Sequence, residues 1–96
     1  MRLTPFEIQS IKQSVMKHFD EGSKVSLFGS RTDDNQKGGD IDLYIQTPTT
    51  DCLSERKIKF LIELKSKIGE QKIDVIIAKD SSRLIEQEAL KKGIQL

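Results

Sequence analysis

Residues 40–46, DIDLYIQ, alternate without a break between two kinds of side chain. Successive side chains on a strand point to opposite faces. Asp40, Asp42 and Tyr44 therefore share one face, and Ile41, Leu43 and Ile45 share the other, which must be the core. The chain is thereby committed to a sheet that is apolar on one side and acidic on the other. Aspartate is depleted in strands, and two on one face repel at close range. A strand that carries both needs a compensating reason.

The other elements follow from local signals. Thr4, Pro5 and Glu7 spell a helix start, a capping box with proline at the first helical position. Ile8, Ile11, Val15 and Phe19 continue at helical spacing, and Gly22 ends the run. KVSLF, 24–28, is a short strand that stops at Gly29, and 32–39, TDDNQKGG, is a polar, glycine-rich loop. Pro48 breaks the chain after the acidic strand. Leu53, Lys57, Phe60, Leu61, Leu64 and Ile68 line one face of a second helix, with Gly69 as its C-cap. KIDVIIA, 72–78, is a third strand. Ser81 or Ser82 caps a last helix that runs through Lys92 to Gly93, and the tail from Ile94 to Leu96 is apolar enough to dock. The order α-β-β-α-β-α predicts an α+β fold, a two-layer arrangement with helices packed on one face of a small mixed sheet.

Size and charge narrow the function. A length of 96 residues suits one domain spanning 1–96. Such a domain buries only about 60–65% of its unfolded surface, so a partner subunit or a second copy is expected to cover apolar remainder. Sixteen Lys+Arg against fifteen Asp+Glu leave a net charge of +1. Strong nucleic-acid binding driven by bulk charge is therefore not expected. A single cysteine, Cys52, excludes an internal disulfide and a multi-cysteine zinc site. A single histidine, His18, argues against a histidine metal centre and a Ser-His triad. No apolar run approaches the roughly 18 residues of a membrane span, and no apolar stretch follows Arg2 as in a signal peptide. A cytoplasmic location is expected.

Asp40 and Asp42 stand about 6.5–7 Å apart at Cα on an extended strand, close enough to share a cation. Hard divalent ions such as Mg²⁺ take carboxylate, phosphate and water oxygens. Two ions about 3.5–4 Å apart are the usual arrangement for moving nucleotidyl groups. The plainer reading is a solvent-facing strand with two surface aspartates. Asp74 weighs against it. This residue interrupts an apolar strand, opposite in direction to Ile73, Val75 and Ile77. A carboxylate buried there without a partner costs several kcal/mol; a shared cation offsets that cost, as would exposure at a sheet edge. The second signal is Leu27-Phe28-Gly29-Ser30-Arg31. Gly29 lets the backbone approach a phosphate, Ser30 can donate a hydroxyl, and Arg31 offers a charged fork. The string is neither a Walker loop nor a dinucleotide fingerprint.

LFGSR followed by GGDIDLYI and a strand-borne Asp74 resembles the nucleotidyltransferase superfamily of DNA polymerase beta, and most of all its minimal nucleotidyltransferases. The resemblance covers residues from about Val25 to Ala78. It implies that Gly29, Ser30 and Arg31 bind the nucleotide and that Asp40, Asp42 and Asp74 are catalytic and hold two Mg²⁺ ions, for which Mn²⁺ can substitute. It implies transfer of a nucleoside monophosphate, AMP from ATP by default, to an acceptor hydroxyl with release of pyrophosphate. Minimal members resemble antitoxins encoded beside a helical HEPN-type toxin, which they can modify. The alternative is a module, weak or inactive in catalysis, that neutralises or scaffolds its partner by contact. Transfer to RNA ends or small molecules, as in larger relatives, is a third reading. Nine residues separate Ser30 from Asp40, one fewer than the common spacing.

Other features read as ordinary surface. The basic residues of the middle helix interleave with Glu55, Glu63 and Glu70, as on a solvated face. Asp33, Asp34 and Asn35 are not a calcium loop, because the twelfth position from Asp33 is Tyr44. Tyr44 either borders a bound nucleotide or packs under a helix. Arg83, Glu86 and Glu88 read as exposed helix residues.

Overall fold

The computed structural model describes residues 3–32, 39–80 and 82–96, except for the side chain of Ser30. The expected loop through 33–38, with Asp33, Asp34 and Asn35, and Ser81 as a helix cap lie outside the described residues. The elements are α1 (Pro5–His18), β1 (Lys24–Phe28), a 3₁₀ turn (Gly29–Thr32), β2 (Ile41–Gln46), α2 (Leu53–Ile68), β3 (Ile73–Ile77), α3 (Leu84–Lys92) and β4 (Ile94–Gln95). The sheet order is β3-β2-β1-β4. β1 runs antiparallel to both β2 and β4, while β2 and β3 are parallel. That parallel pair needs a long crossover, which α2 supplies.

The capping box forms as expected: the Glu7 amide donates to Thr4 Oγ1 at 3.1 Å, and the Thr4 amide donates to Glu7 Oε1 at 2.9 Å. Helix α1 ends at His18, before Gly22, because Phe19 leaves the helix as its C-cap and buries its ring against Phe60. Ile11, Val15 and Phe19, with Phe60 and Leu64 of α2, cover Val25, Leu27, Ile41, Leu43, Ile45, Ile73 and Val75. This is the apolar face foreseen for β2. No helix among the described residues is long and apolar enough to cross a membrane.

The α+β mixed sheet is present, but only α1 and α2 share a face. Helix α3 lies on the other, where Ala89 packs with Phe28 and Tyr44 beside Ile76 and Ala78. Its inward side carries Glu86 and Ala89, the two buried residues of the helix. A side with no large apolar residue gave no sign of which face it would meet. Position 82 does not cap α3; Arg83 does, and Ser82 instead donates through its amide and hydroxyl to Asp80 Oδ1. The tail docks as a fourth strand. Ile94 and Gln95 pair with Leu27 and Ser26, and the Leu96 amide donates to the Val25 carbonyl at 3.0 Å.

Glu86 is not a surface residue: it is 1% exposed. Its carboxylate accepts from the Tyr44 hydroxyl at 2.9 Å, the Asp80 amide at 2.9 Å, the Lys79 amide at 3.1 Å and Arg83 Nη1 at 3.3 Å. Burial alone would raise its pKa. The bonds from Asp80, Lys79 and Tyr44, with the charge of Arg83, outweigh burial and hold it below the usual range. The same burial and the neighbouring carboxylate push the Tyr44 hydroxyl up to about 12. One carboxylate thus joins α3, the loop after β3 and the middle of β2.

Glu86→Ala should lower stability by about 3 kcal/mol in urea titration, since it strands a buried hydroxyl and two amides. Tyr44→Phe removes one donor and should cost about 1–2 kcal/mol. Because the folded pKa of Glu86 is depressed, its contribution is complete above the ordinary value of 4.5 and fades as pH falls through the folded value. Over that acid window Glu86→Gln should lose less stability than wild type.

Candidate active site

Both β2 and β3 begin with the dipeptide Ile-Asp. Their parallel register sets Ile41 opposite Ile73 and Asp42 opposite Asp74. Neighbouring strands lie about 4.8 Å apart, so the two carboxylates stand side by side on the face away from α1 and α2. On the other side of Asp42 is the end of β1, with Phe28 as its partner. Helix α3 covers the next position on this face, Tyr44 and Ile76, and leaves the aspartates accessible. Asp42 is half-buried and Asp74 exposed.

Asp40 lies just before β2, half-buried, with Lys72 Nζ 3.4 Å from its Oδ2. The Ile41 amide donates to the Lys72 carbonyl at 3.0 Å, which ties the two segments together. Burial pushes the Asp42 carboxyl above the ordinary carboxylate range, and repulsion from Asp74 and Asp40 adds to it; Lys72 opposes the shift. Asp42 therefore feels both of the other acidic groups at the open ends of two strands.

Gly29 begins the 3₁₀ turn against this group. Its φ is +79°, and a Cβ built there would stand 2.3 Å from Asp42 Oδ2. The left-handed φ disfavours any side chain there, and one would also have to displace the Asp42 carboxylate. The turn is closed by Thr32 Oγ1 donating to the Gly29 carbonyl at 2.7 Å. The backbone of Ser30 lies in this turn. Arg31 is held within the protein: Nε donates to the Gly39 carbonyl at 3.3 Å, and Nη2 donates to Gln71 Oε1 at 3.1 Å.

The sequence thus located the aspartates and Gly29, which the fold gathers at one end of the sheet. Tyr44 packs under α3, 2% exposed, rather than bordering that opening. Lys72 and Gln71 were missed. The signal that could have found them is the repeated Ile-Asp, which aligns the two strands and brings 72 beside 40.

The donor set fits a hard divalent cation. All three side chains offer oxygen, and the mutual repulsion at Asp42 is what a cation would relieve. The cluster is not drawn tight: among the described residues no three His, Cys, Asp or Glu are grouped closely enough to hold an ion. Asp40 is paired with Lys72 instead.

A comparison with protein families matches residues 9–96 to the family described as Polymerase beta, Nucleotidyltransferase. No curated protein matches, and no solved structure does.

Two variants probe this geometry. A raised pKa at Asp42 means the fold binds its proton more tightly than the unfolded chain does. Its ionisation therefore erodes stability as pH rises from 3.8 through the folded value. Asp42→Asn should melt above wild type at pH 7 by about 0.5 kcal/mol, the scale of a like-charged cross-strand pair. The gain should vanish below pH 3.8, where both states carry the proton. Gly29→Ala should do the reverse, lowering the melting temperature because the methyl meets the Asp42 carboxylate.

Proposed function

Because the chain belongs to the polymerase beta nucleotidyltransferase family, we propose that it moves a nucleoside monophosphate from a nucleoside triphosphate to an acceptor hydroxyl. The observation that carries this is the abutment of three groups: Asp42 beside Asp74 in register, with the Gly29 backbone against Asp42. A carboxylate pair next to a side-chain-free turn suits a triphosphate whose charge must be both gripped and countered. Gly29 and Ser30 cradle the triphosphate, with Arg31 in the same turn. Asp40, Asp42 and Asp74 would hold two Mg²⁺ ions, or Mn²⁺ in their place, and such ions when bound neutralise phosphate charge and polarise the α-phosphoryl group. The acceptor oxygen forms a bond to the α-phosphorus as the bond to the β-phosphate oxygen breaks, and pyrophosphate leaves. Asp74, the most open of the three, takes the acceptor proton.

ATP is the expected donor, and a HEPN-type helical protein in the cytoplasm the expected acceptor, which makes the chain the antitoxin of a pair. Exposed Ile58 and Ile62, one turn apart on α2, support a protein partner. The second reading is a module that silences its partner by contact alone. The pairing of Asp40 with Lys72, in place of a closed acidic cluster, favours it.

The test uses each α-labelled nucleoside triphosphate with Mg²⁺ or Mn²⁺ and a lysate of the native host. Wild type should label a macromolecule, and Asp42→Asn should reduce labelling at least about 100-fold, the scale of a lost transition-state contact. Equal protection of the partner by Asp42→Asn, without nucleotide, would establish the contact reading instead.

A further inference from the structure

Arg31 joins the two segments that flank Asp40. Its Nε holds the carbonyl of Gly39, the residue before Asp40, and its Nη2 holds Gln71, the residue before Lys72. Lys72 in turn contacts Asp40 through its ammonium and Ile41 through its carbonyl. Behind Arg31 the chain of bonds continues. Gln71 Nε2 donates to Glu7 Oε2 at 2.9 Å and to the Ile68 carbonyl at 3.1 Å. Glu7 is itself fixed by the capping box at the start of α1. Glu7, Gln71 and Arg31 are all half-buried.

The chain has one polarity. Gln71 turns its oxygen to the guanidinium and its amide nitrogen to the carboxylate; a flipped amide would set donor against donor at one end and acceptor against acceptor at the other. A guanidinium that holds more than one acceptor also restrains geometry in a way that a single contact does not.

We propose that Gln71 and Glu7 are positioning residues for the acidic site: through Arg31 they hold the Gly39–Asp40 peptide and the Lys72 segment so that the Asp40 carboxylate is presented beside Asp42. The proposal rests on the nucleotidyl-transfer reading, and it gives Arg31 a duty different from gripping phosphate. Of the bonds described for Gln71 and Glu7, the one that reaches the Gly29–Thr32 turn is the bond from Arg31, so an effect of either residue on cation binding must pass through Arg31 or the segments it holds.

Gln71→Met keeps length and apolar stem but removes all three side-chain bonds described for Gln71, to Arg31, Glu7 and the Ile68 carbonyl. Mn²⁺ binding to the purified chain is read by electron paramagnetic resonance, and kcat and KM are read with the donor nucleotide. Gln71→Met should weaken Mn²⁺ binding about fivefold and lower kcat comparably, with KM for the nucleotide within twofold of wild type. The double variant Glu7→Gln/Gln71→Glu reverses donor and acceptor in the bond between positions 71 and 7, keeps an acceptor for Arg31 and gives up only the bond to the Ile68 carbonyl. It should therefore recover most of both values, which a mere loss of packing would not allow. Wild-type Mn²⁺ affinity in Gln71→Met, or no rescue by the double variant, would overturn the proposal. A raised nucleotide KM with unchanged Mn²⁺ affinity in Arg31→Lys would overturn it in favour of a phosphate contact, and a wild-type chain that binds no Mn²⁺ would overturn it as well. Mn²⁺ binding by wild type without transfer of any nucleotide removes the functional reading alone, and the Mn²⁺ affinities of the variants still decide the positioning claim.

Discussion

The parallel pairing of β2 with β3 sets Asp42 directly beside Asp74, and the surrounding structure is arranged around that pair. Two carboxylates at strand spacing repel, and partial burial makes the repulsion harder to screen. The fold contains the strain without removing it. The opposite faces of both strands are packed into the main core, so neither strand can slip by one residue without turning Ile41, Leu43 and Ile45 outward. Register is held by apolar packing on one side of the sheet, and charge is concentrated on the other as a result.

The acidic face is divided. Helix α3 closes the half that bears Tyr44 and Ile76, anchored by the buried Glu86 carboxylate, and leaves the half that bears the aspartates open. Two acids on one sheet face thus have opposite environments. Glu86 is surrounded by donors and kept ionised, while Asp42 is pushed toward its protonated form by burial first and by Asp74 and Asp40 after it. The first secures a helix; the second leaves a group whose charge calls for a counter-charge from outside the chain.

Much of this was legible because it depends on period and composition. Alternation alone separated Ile41, Leu43 and Ile45 from Asp42 and Tyr44, and helical spacing alone assigned Ile11, Val15, Phe60 and Leu64 to the core. The capping box at Thr4 and Glu7 was visible for the same reason, since it is local. What stayed hidden depends on contacts distant in sequence. A glutamate on a charged helix looks solvated unless the Tyr44 hydroxyl and the amides of Lys79 and Asp80 are known to converge on it. An arginine after a Gly-Ser turn suggests a phosphate fork unless Gln71, 40 positions away, is known to meet it. The face chosen by α3 was unreadable because its inward residues are small or charged, and β4 was unreadable because two residues are too few to show a period.

The close fit of Gly29 against Asp42 carries a consequence on a different scale, that of descent. The two positions constrain each other unequally. A neutral side chain at 42 relieves repulsion and frees space, whereas almost any change at 29 collides with the carboxylate while it remains. In a lineage that stopped using this face, position 42 would therefore drift first, while the left-handed backbone at 29, φ +79°, would still hold glycine there. A relative that keeps Gly29 but has lost Asp42 would mark a face that has fallen out of use.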